Sequence, residues 1–295
     1  MHVLTRGDLD GLTSCVLLSL VEQIREIKFA HPKDVQDGLV PVTAEDIVVN
    51  LPYVPGCGMW FDHHVSQDEQ AKTVTGFKGR YGVAPSTARL IQEHYNSPAF
   101  APFQTMLEET DRLDAARLKP EDVTDPKGWI LLGYTLDPRT GFGPEFQKYF
   151  RWLVEYVKEV PLEKVLQHPE VKKRCERVHE EREAFKKILL EHARLEGKVI
   201  VSDFRSVKGA PVGNRFLVFT LFPAGTVEAR IHMGKGGQTI NVAIGKNIFN
   251  RSCPLNIGML CREYGGGGHD GAGTCQLPQT GADEKIAEIL RRLNA

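Results

Sequence analysis

The spacing of apolar and polar residues changes character twice along the chain. In the first 115 residues, short apolar runs alternate with stretches of helical spacing. His2–Leu4, Ile27–Ala30, Asp46–Val49 and Met59–Phe61 read as short strands, the middle two buried. Gly11–Ile24 sets Leu12, Cys15, Val16, Leu20 and Ile24 at helical spacing, and Ser86–Tyr95 reads as a helix behind Pro85. Strands alternating with helices predict an α/β fold with a mostly parallel sheet flanked by helices. Ligands of such sheets sit beyond the carboxyl ends of the strands.

Between Pro144 and Leu195 the pattern is helical throughout. Phe146, Tyr149, Phe150, Leu153, Val154 and Val157 form an apolar stripe. Glu170–Glu196 then crowds Lys, Arg and Glu at i, i+3 and i+4, the mark of a solvated helix laced by weak side-chain ion pairs. From Gly197 the pattern turns strand-rich. Val199–Val201, Phe216–Phe222, Val227–Met233 and Thr239–Ile244 read as strands between Gly- or Pro-containing turns. Pro254–Tyr264 and Ala282–Leu293 read as helices. The expected organisation is an N-terminal α/β domain over 1–160, a helical connector over 161–196 and a smaller C-terminal α/β domain over 197–295, with a cleft between the two domains.

Composition narrows the function classes. With 41% hydrophobic and 25% charged residues, the 295-residue chain has the balance of a soluble globular protein. A net charge of −1 excludes a general polyanion binder. The charge is uneven, −5 over Met1–Leu195 and +4 over Glu196–Ala295, which suits an acidic metal site facing a phosphate-binding half. The six cysteines make no C-x-x-C pair, so they read as reduced thiols of a cytoplasmic protein and not as a zinc ribbon. No apolar run approaches the ~18 residues of a membrane span, and the first residues lack the pattern of a secretion signal.

Four segments carry chemistry. Asp8-Leu9-Asp10-Gly11 puts two carboxylates where a strand gives way to a helix. A turn there can bring both to one metal cluster, with Thr13 and Ser14 at a helix start suited to an anion; it can equally be an acidic turn capped at Thr13 or Ser14. Asp62-His63-His64 follows an apolar run, so it also ends a strand. Carboxylate and imidazole together suit manganese, zinc or similar ions, and adjacent histidines can divide ligation and substrate contact between them. In Asp111-Arg112-Leu113-Asp114, either aspartate can be a ligand or a helix-surface charge. Gly265-Gly266-Gly267-Gly268-His269 is a permissive run whose successive N–H groups can cradle an anion, with His269 as a further donor; a flexible loop after a helix cap is the other reading.

In this order, with these separations, the segments resemble the DHH phosphoesterase family and its C-terminal DHH-associated domain. That group includes RecJ-like exonucleases, oligoribonucleases and exopolyphosphatase-related proteins. The resemblance covers nearly the whole chain. It implies Mn2+ or Mg2+, one or two ions, between the two domains. By position it makes Asp8, Asp10, His63 and Asp111 metal ligands, and Asp62 and His64 catalytic residues. Gly266, Gly267, Gly268 and His269 would bind substrate, with Arg230 on a strand of the second domain. The expected partner is a small phosphorylated substrate, such as a short oligonucleotide, a nucleotide phosphate or polyphosphate; a homodimer is left open. Three positions depart from the family pattern. Leu4 and Arg6 stand where members carry a histidine, and Asn50 stands where a bridging aspartate is usual. A neutral amide weakens a second ion, which leaves open a binding protein that keeps the fold without the turnover.

Overall fold

The computed structural model describes residues 1–64, 67–137, 141–207 and 213–295. The chain divides into two units, Met1–Arg117 with Pro126–Val178, and Leu118–Asp125 with His179–Ala295.

The first unit is built on a five-stranded sheet of β1 (His2–Thr5), β2 (Glu26–Phe29), β3 (Asp46–Val49), β4 (Met59–Asp62) and β5 (Gly79–Tyr81). Strand order is β2-β1-β3-β4-β5, and every pairing is parallel. The chain leaves β1 for one neighbour and returns to the other, so the order reverses between β1 and β3. That is the switch point at which such sheets open a crevice. Its helices are α1 (Leu9–Ser19), α2 (Pro32–Gln36), α3 (Asp68–Thr73), α4 (Thr87–Tyr95) and α5 (Gln104–Asp114). After α6 (Pro120–Thr124), which belongs to the second unit, come α7 (Gly128–Tyr134), α8 (Pro144–Glu159) and α9 (Leu162–Gln167).

Alternation along the strands sorts the core into two layers. Val3, Ile47, Val49 and Phe61 face a layer completed by Leu12 and Val16 of α1, Ile91 of α4 and Phe150 and Leu153 of α8. Leu4, Val48 and Trp60 face the other way, onto Ala30, Val35 and Leu51. Burial on both faces explains why these strands read as apolar runs. The α8 stripe is buried as the sequence leads one to expect, from Phe146 to Val157.

In α10 (Pro169–His192), the charged helix, residues to Val178 belong to the first unit and those from His179 to the second. The second unit holds a six-stranded sheet of β6 (Ala193–Glu196), β7 (Val199–Asp203), β8 (Val227–Met233), β9 (Thr239–Lys246), β10 (Gly267–His269) and β11 (Ala272–Pro278). Its order is β10-β11-β9-β8-β7-β6, antiparallel except where β7 meets β8. Val199, Val201, Ala229, Ile231, Val242 and Ile244 point to one face, which α12 (Ile257–Glu263) and α13 (Ala282–Asn294) cover.

One sequence expectation and one alternative reading are corrected here. Phe216–Phe222 is not a strand; Leu217–Leu221 forms α11, with Leu217, Val218 and Phe219 buried. A short continuous apolar run has no period that separates a strand from one buried helical turn. The glycine run is also not a free loop. Gly265 ends α12 with φ +76°, and Gly267–His269 pairs with β11 as an edge strand. Gly268 has φ +151°, and a Cβ there would come within 2.2 Å of the Ala272 carbonyl oxygen. Gly268→Ala is expected to destabilise this unit by roughly 1–3 kcal/mol through backbone strain, read as a lower midpoint in denaturant unfolding.

Candidate metal centre and active site

The chemistry-bearing residues of the first unit stand at the carboxyl ends of its strands. Asp8 and Asp10 follow β1, Asn50 follows β3, and Asp62, His63 and His64 end β4. Asp8 is the N-cap of α1, its Oδ1 accepting from Gly11 N–H at 3.0 Å. The cap is therefore Asp8, not Thr13 or Ser14. Thr13 instead shares a buried hydrogen bond with Thr110 of α5, 2.7 Å between hydroxyl oxygens.

Asp10 is almost fully buried and is held by the start of another helix. Its two oxygens accept from Thr87 N–H at 2.9 Å and Ala88 N–H at 2.8 Å, the first turn of α4. A helix N-terminus favours an anion there. Burial nevertheless wins, and with the Asp114 carboxylate nearby it pushes the Asp10 carboxyl up to about 7.

His63 faces Asp10 and Asp114. Its Nδ1 lies 2.9 Å from the Ala84 carbonyl oxygen, which can only accept, so Nδ1 carries the proton. In the neutral ring Nε2 is then a bare acceptor, 2.8 Å from Asp114 Oδ2 and 3.9 Å from Asp10 Oδ2. Ligand atoms of Asp10, His63 and Asp114 all lie within 4.8 Å of one another. Nε2 has no hydrogen-bond partner with acceptable geometry, and Asp62 Oδ2, Asn50 Oδ1, Ser14 Oγ and Thr87 Oγ1 are also buried without one. The facing acceptors of Asp10, His63 and Asp114 repel one another unless a cation or a proton sits among them. The donor set of two carboxylates and a tautomer-fixed imidazole fits a divalent ion.

The same crowding sets proton affinities. Burial works against an imidazolium at His63, but Asp114 and Asp10 outweigh it and push His63 up to about 10. Metal must displace these protons. Below pH 7, where Asp10 and His63 both hold one, apparent affinity for Mn2+ is expected to rise about 100-fold per pH unit, and between 7 and 10 about 10-fold. The sign for stability follows. Both folded-state values lie above the unfolded ones, so the metal-free protein loses their contribution as pH rises, through about 7 for Asp10 and about 10 for His63. The melting gap between Mn2+-loaded and chelator-treated protein should therefore widen from pH 6 to pH 9, measured by differential scanning calorimetry.

Asp62 and His64 form a second constellation. Asp62 is buried, and its Oδ1 accepts from His63 N–H at 3.0 Å and from His64 Nδ1 at 2.7 Å. Burial opposes protonation of His64, and the Asp62 carboxylate overcomes it, so its imidazole lies above the ordinary histidine range. With Nδ1–H held by Asp62, Nε2 is the nitrogen left for a substrate, and the side chain is 38% exposed.

The structure separates the two aspartates that the sequence left as alternatives. Asp111, the ligand expected from the resemblance, is occupied elsewhere. Its Oδ1 accepts from Ser86 Oγ at 2.6 Å, and its Oδ2 accepts from Arg89 Nε at 2.9 Å and Nη2 at 2.6 Å. Ser86 caps α4 by accepting from Arg89 N–H. Asp111 thus buttresses the helix start that holds Asp10. Asp114, three residues on, is the carboxylate at His63. A spacing of three puts both residues on one side of α5, so the sequence offers no means of choosing between them. The supports from Ala84, Thr87 and Ala88 are backbone groups with no residue-type signal.

The remaining expected residues lie in the second unit. His269 is exposed, and its Nδ1 accepts from Gly271 N–H at 3.1 Å. Arg230 pairs with buried Glu228 through Nε and Nη2, both at 3.1 Å, and its guanidinium lies over Phe185 and Phe204. Among the described residues no helix is long and apolar enough to cross a membrane.

The parallel sheet and the carboxylate–histidine cluster at its strand ends together form a candidate metal centre. No protein-family model matches the chain, and no curated protein does. Among solved structures, the pGpG-specific phosphodiesterase PggH of Vibrio cholerae is 34% identical, over 99% of this chain and 98% of that one, with a TM-score of 0.83. An exopolyphosphatase-related protein of Bacteroides fragilis is 13% identical, with a TM-score of 0.52 over 99% of this chain and 92% of that one. RecJ of Thermus thermophilus with Mn2+ is 14% identical, with a TM-score of 0.50; the match covers 99% of this chain but 52% of that one. The last two share the fold. The chain belongs to the DHH phosphoesterase family.

Proposed function

We propose that the protein is a manganese-dependent phosphodiesterase of short linear dinucleotides, with pGpG as its preferred substrate. The observation that carries the substrate is 34% identity to a pGpG-specific phosphodiesterase across almost the full length of both chains. The observation that carries the metal is the convergence of Asp10, His63 and Asp114 with Nε2 of His63 left without a hydrogen bond.

In this reading Asp10, His63 and Asp114 would hold the ion, with Asp8 beside them, and Asp111 is a positioning residue acting through α4. A bound divalent ion supplies Lewis acidity towards phosphate oxygens and lowers the pKa of water. The protein's own part is to place the scissile phosphate and move protons. The Asp62-bound imidazole of His64 presents Nε2 to the phosphate, as an imidazolium stabilising negative charge or as the donor to the leaving oxygen. Gly266, Gly267, Gly268, His269 and Arg230 are the proposed substrate-binding set of a C-terminal domain over 197–295.

Turnover of pGpG, other linear dinucleotides, cyclic dinucleotides and polyphosphate with Mn2+ tests the reading. Hydrolysis of pGpG to mononucleotides, abolished by chelator and restored by Mn2+, is expected. Faster turnover of polyphosphate than of any dinucleotide would refute the substrate.

A further inference from the structure

One cation at the strand ends has no part in the ligand set above. Arg6 follows β1 directly, and its Nε lies 3.2 Å from Asp8 Oδ2. Its side chain is 35% exposed, and no acceptor among the described residues takes its terminal nitrogens. On the other side of the same carboxylate, Asn50 Nδ2 donates to Asp8 Oδ1 at 3.0 Å. Asn50 is 1% exposed, has a left-handed backbone with φ +57°, and leaves its Oδ1 without a partner. Asp8 is thus gripped by Gly11 N–H, Asn50 and Arg6 together. It is also within electrostatic reach of Asp114 and His64, so Arg6 borders the same site.

The formal charges balance around a single ion. Asp10 and Asp114 with a neutral His63 match one divalent cation. Asp8 is matched by Arg6. At Asn50 an amide offers no charge. A second divalent ion at Asp8 would have to displace a guanidinium and gain no carboxylate from β3. A guanidinium held on its Nε side, with no acceptor on its terminal nitrogens among the described residues, is shaped to receive two oxygens of a phosphate.

We propose that the protein holds one tight metal ion and that Arg6, set in place by Asp8 and Asn50, supplies the second positive contact to the scissile phosphate. Asn50 is a positioning residue in this arrangement, because it orients Asp8 and not the substrate. The inference rests on the phosphoester reading of the site but not on any particular nucleotide.

Calorimetric titration of chelator-treated, full-length protein tests it with Mn2+ and then inorganic phosphate as probes. One tight Mn2+ per chain is expected for the wild type and two for Asn50→Asp. In the Mn2+-loaded protein, Arg6→Gln should weaken phosphate binding and raise KM for a hydrolysed ester by about 10- to 100-fold, roughly the loss of a charge-assisted pair of hydrogen bonds, with Mn2+ stoichiometry unchanged. Arg6→Lys, the milder variant, should retain part of the phosphate affinity. Two tight ions in phosphate-free wild type, or full phosphate affinity in both Arg6 variants, would overturn the proposal. Because Mn2+ and inorganic phosphate binding involve no dinucleotide, failure on pGpG with loss of phosphate binding in Arg6→Gln would refute the substrate and leave Arg6 standing.

Discussion

Asp114→Asn is expected to lower kcat/KM by more than about 100-fold and to weaken Mn2+ binding by a similar factor. Partners that merely orient a ligand cost about 10- to 100-fold when removed, so loss of a ligand itself sets that range as a floor. The amide keeps the size of the side chain and removes the charge that faces His63 Nε2 at 2.8 Å. It also removes the partner that does most to hold a proton on His63. The histidine should therefore titrate lower in the metal-free variant, visible in its imidazole NMR signals. A merely structural role for Asp114 would lower the melting temperature and leave Mn2+ affinity intact. Asp111→Asn, by contrast, loosens the hold of Arg89 and Ser86 on α4 and should act on stability before it acts on metal.

His64→Asn is expected to lower kcat by about 100- to 10,000-fold, the usual worth of a positioned acid or base, while Mn2+ still binds. That split separates it from the metal-ligand variants. The imidazole is fixed by a 2.7 Å hydrogen bond to buried Asp62, so Asp62→Asn should reproduce much of the loss without touching the atom that meets the substrate. The pH profile offers a second check. Because Asp62 raises His64 above the ordinary histidine range, an activity that needs the imidazolium should fall at a higher pH in the wild type than in Asp62→Asn.

Much of this site was legible before the fold. Strand ends could be read from apolar runs at His2–Leu4 and Met59–Phe61, and the motifs beside them gave Asp8, Asp10, Asp62, His63 and His64. Family likeness explained their order, and the departure at Asn50 was visible as a single letter. What the letters could not carry was geometry within a helix and the hold of one backbone on a distant side chain. Asp111 and Asp114 are equivalent by spacing, and only the Arg89–Ser86 clamp on one of them decides between them. Asp10 is held by two amide groups of α4 that any sequence would provide. The apolar run at Leu217 had no period to betray a helix. The glycines at 265–268 suggested permissiveness and an anion cradle, but not that Gly268 is needed where β10 passes the Ala272 carbonyl. Arg6 and Asn50 looked like losses from a pattern, and nothing in the letters told that both contact Asp8.

The account depends on a metal ion among Asp10, His63 and Asp114. Anomalous scattering from crystals soaked in Mn2+ measures this directly. A single strong peak within ligand distance of Asp10, His63 and Asp114, absent from Asp114→Asn crystals, is the expected result. A well-ordered map with no peak there, or with the ion bound by Asp111 instead, would contradict it.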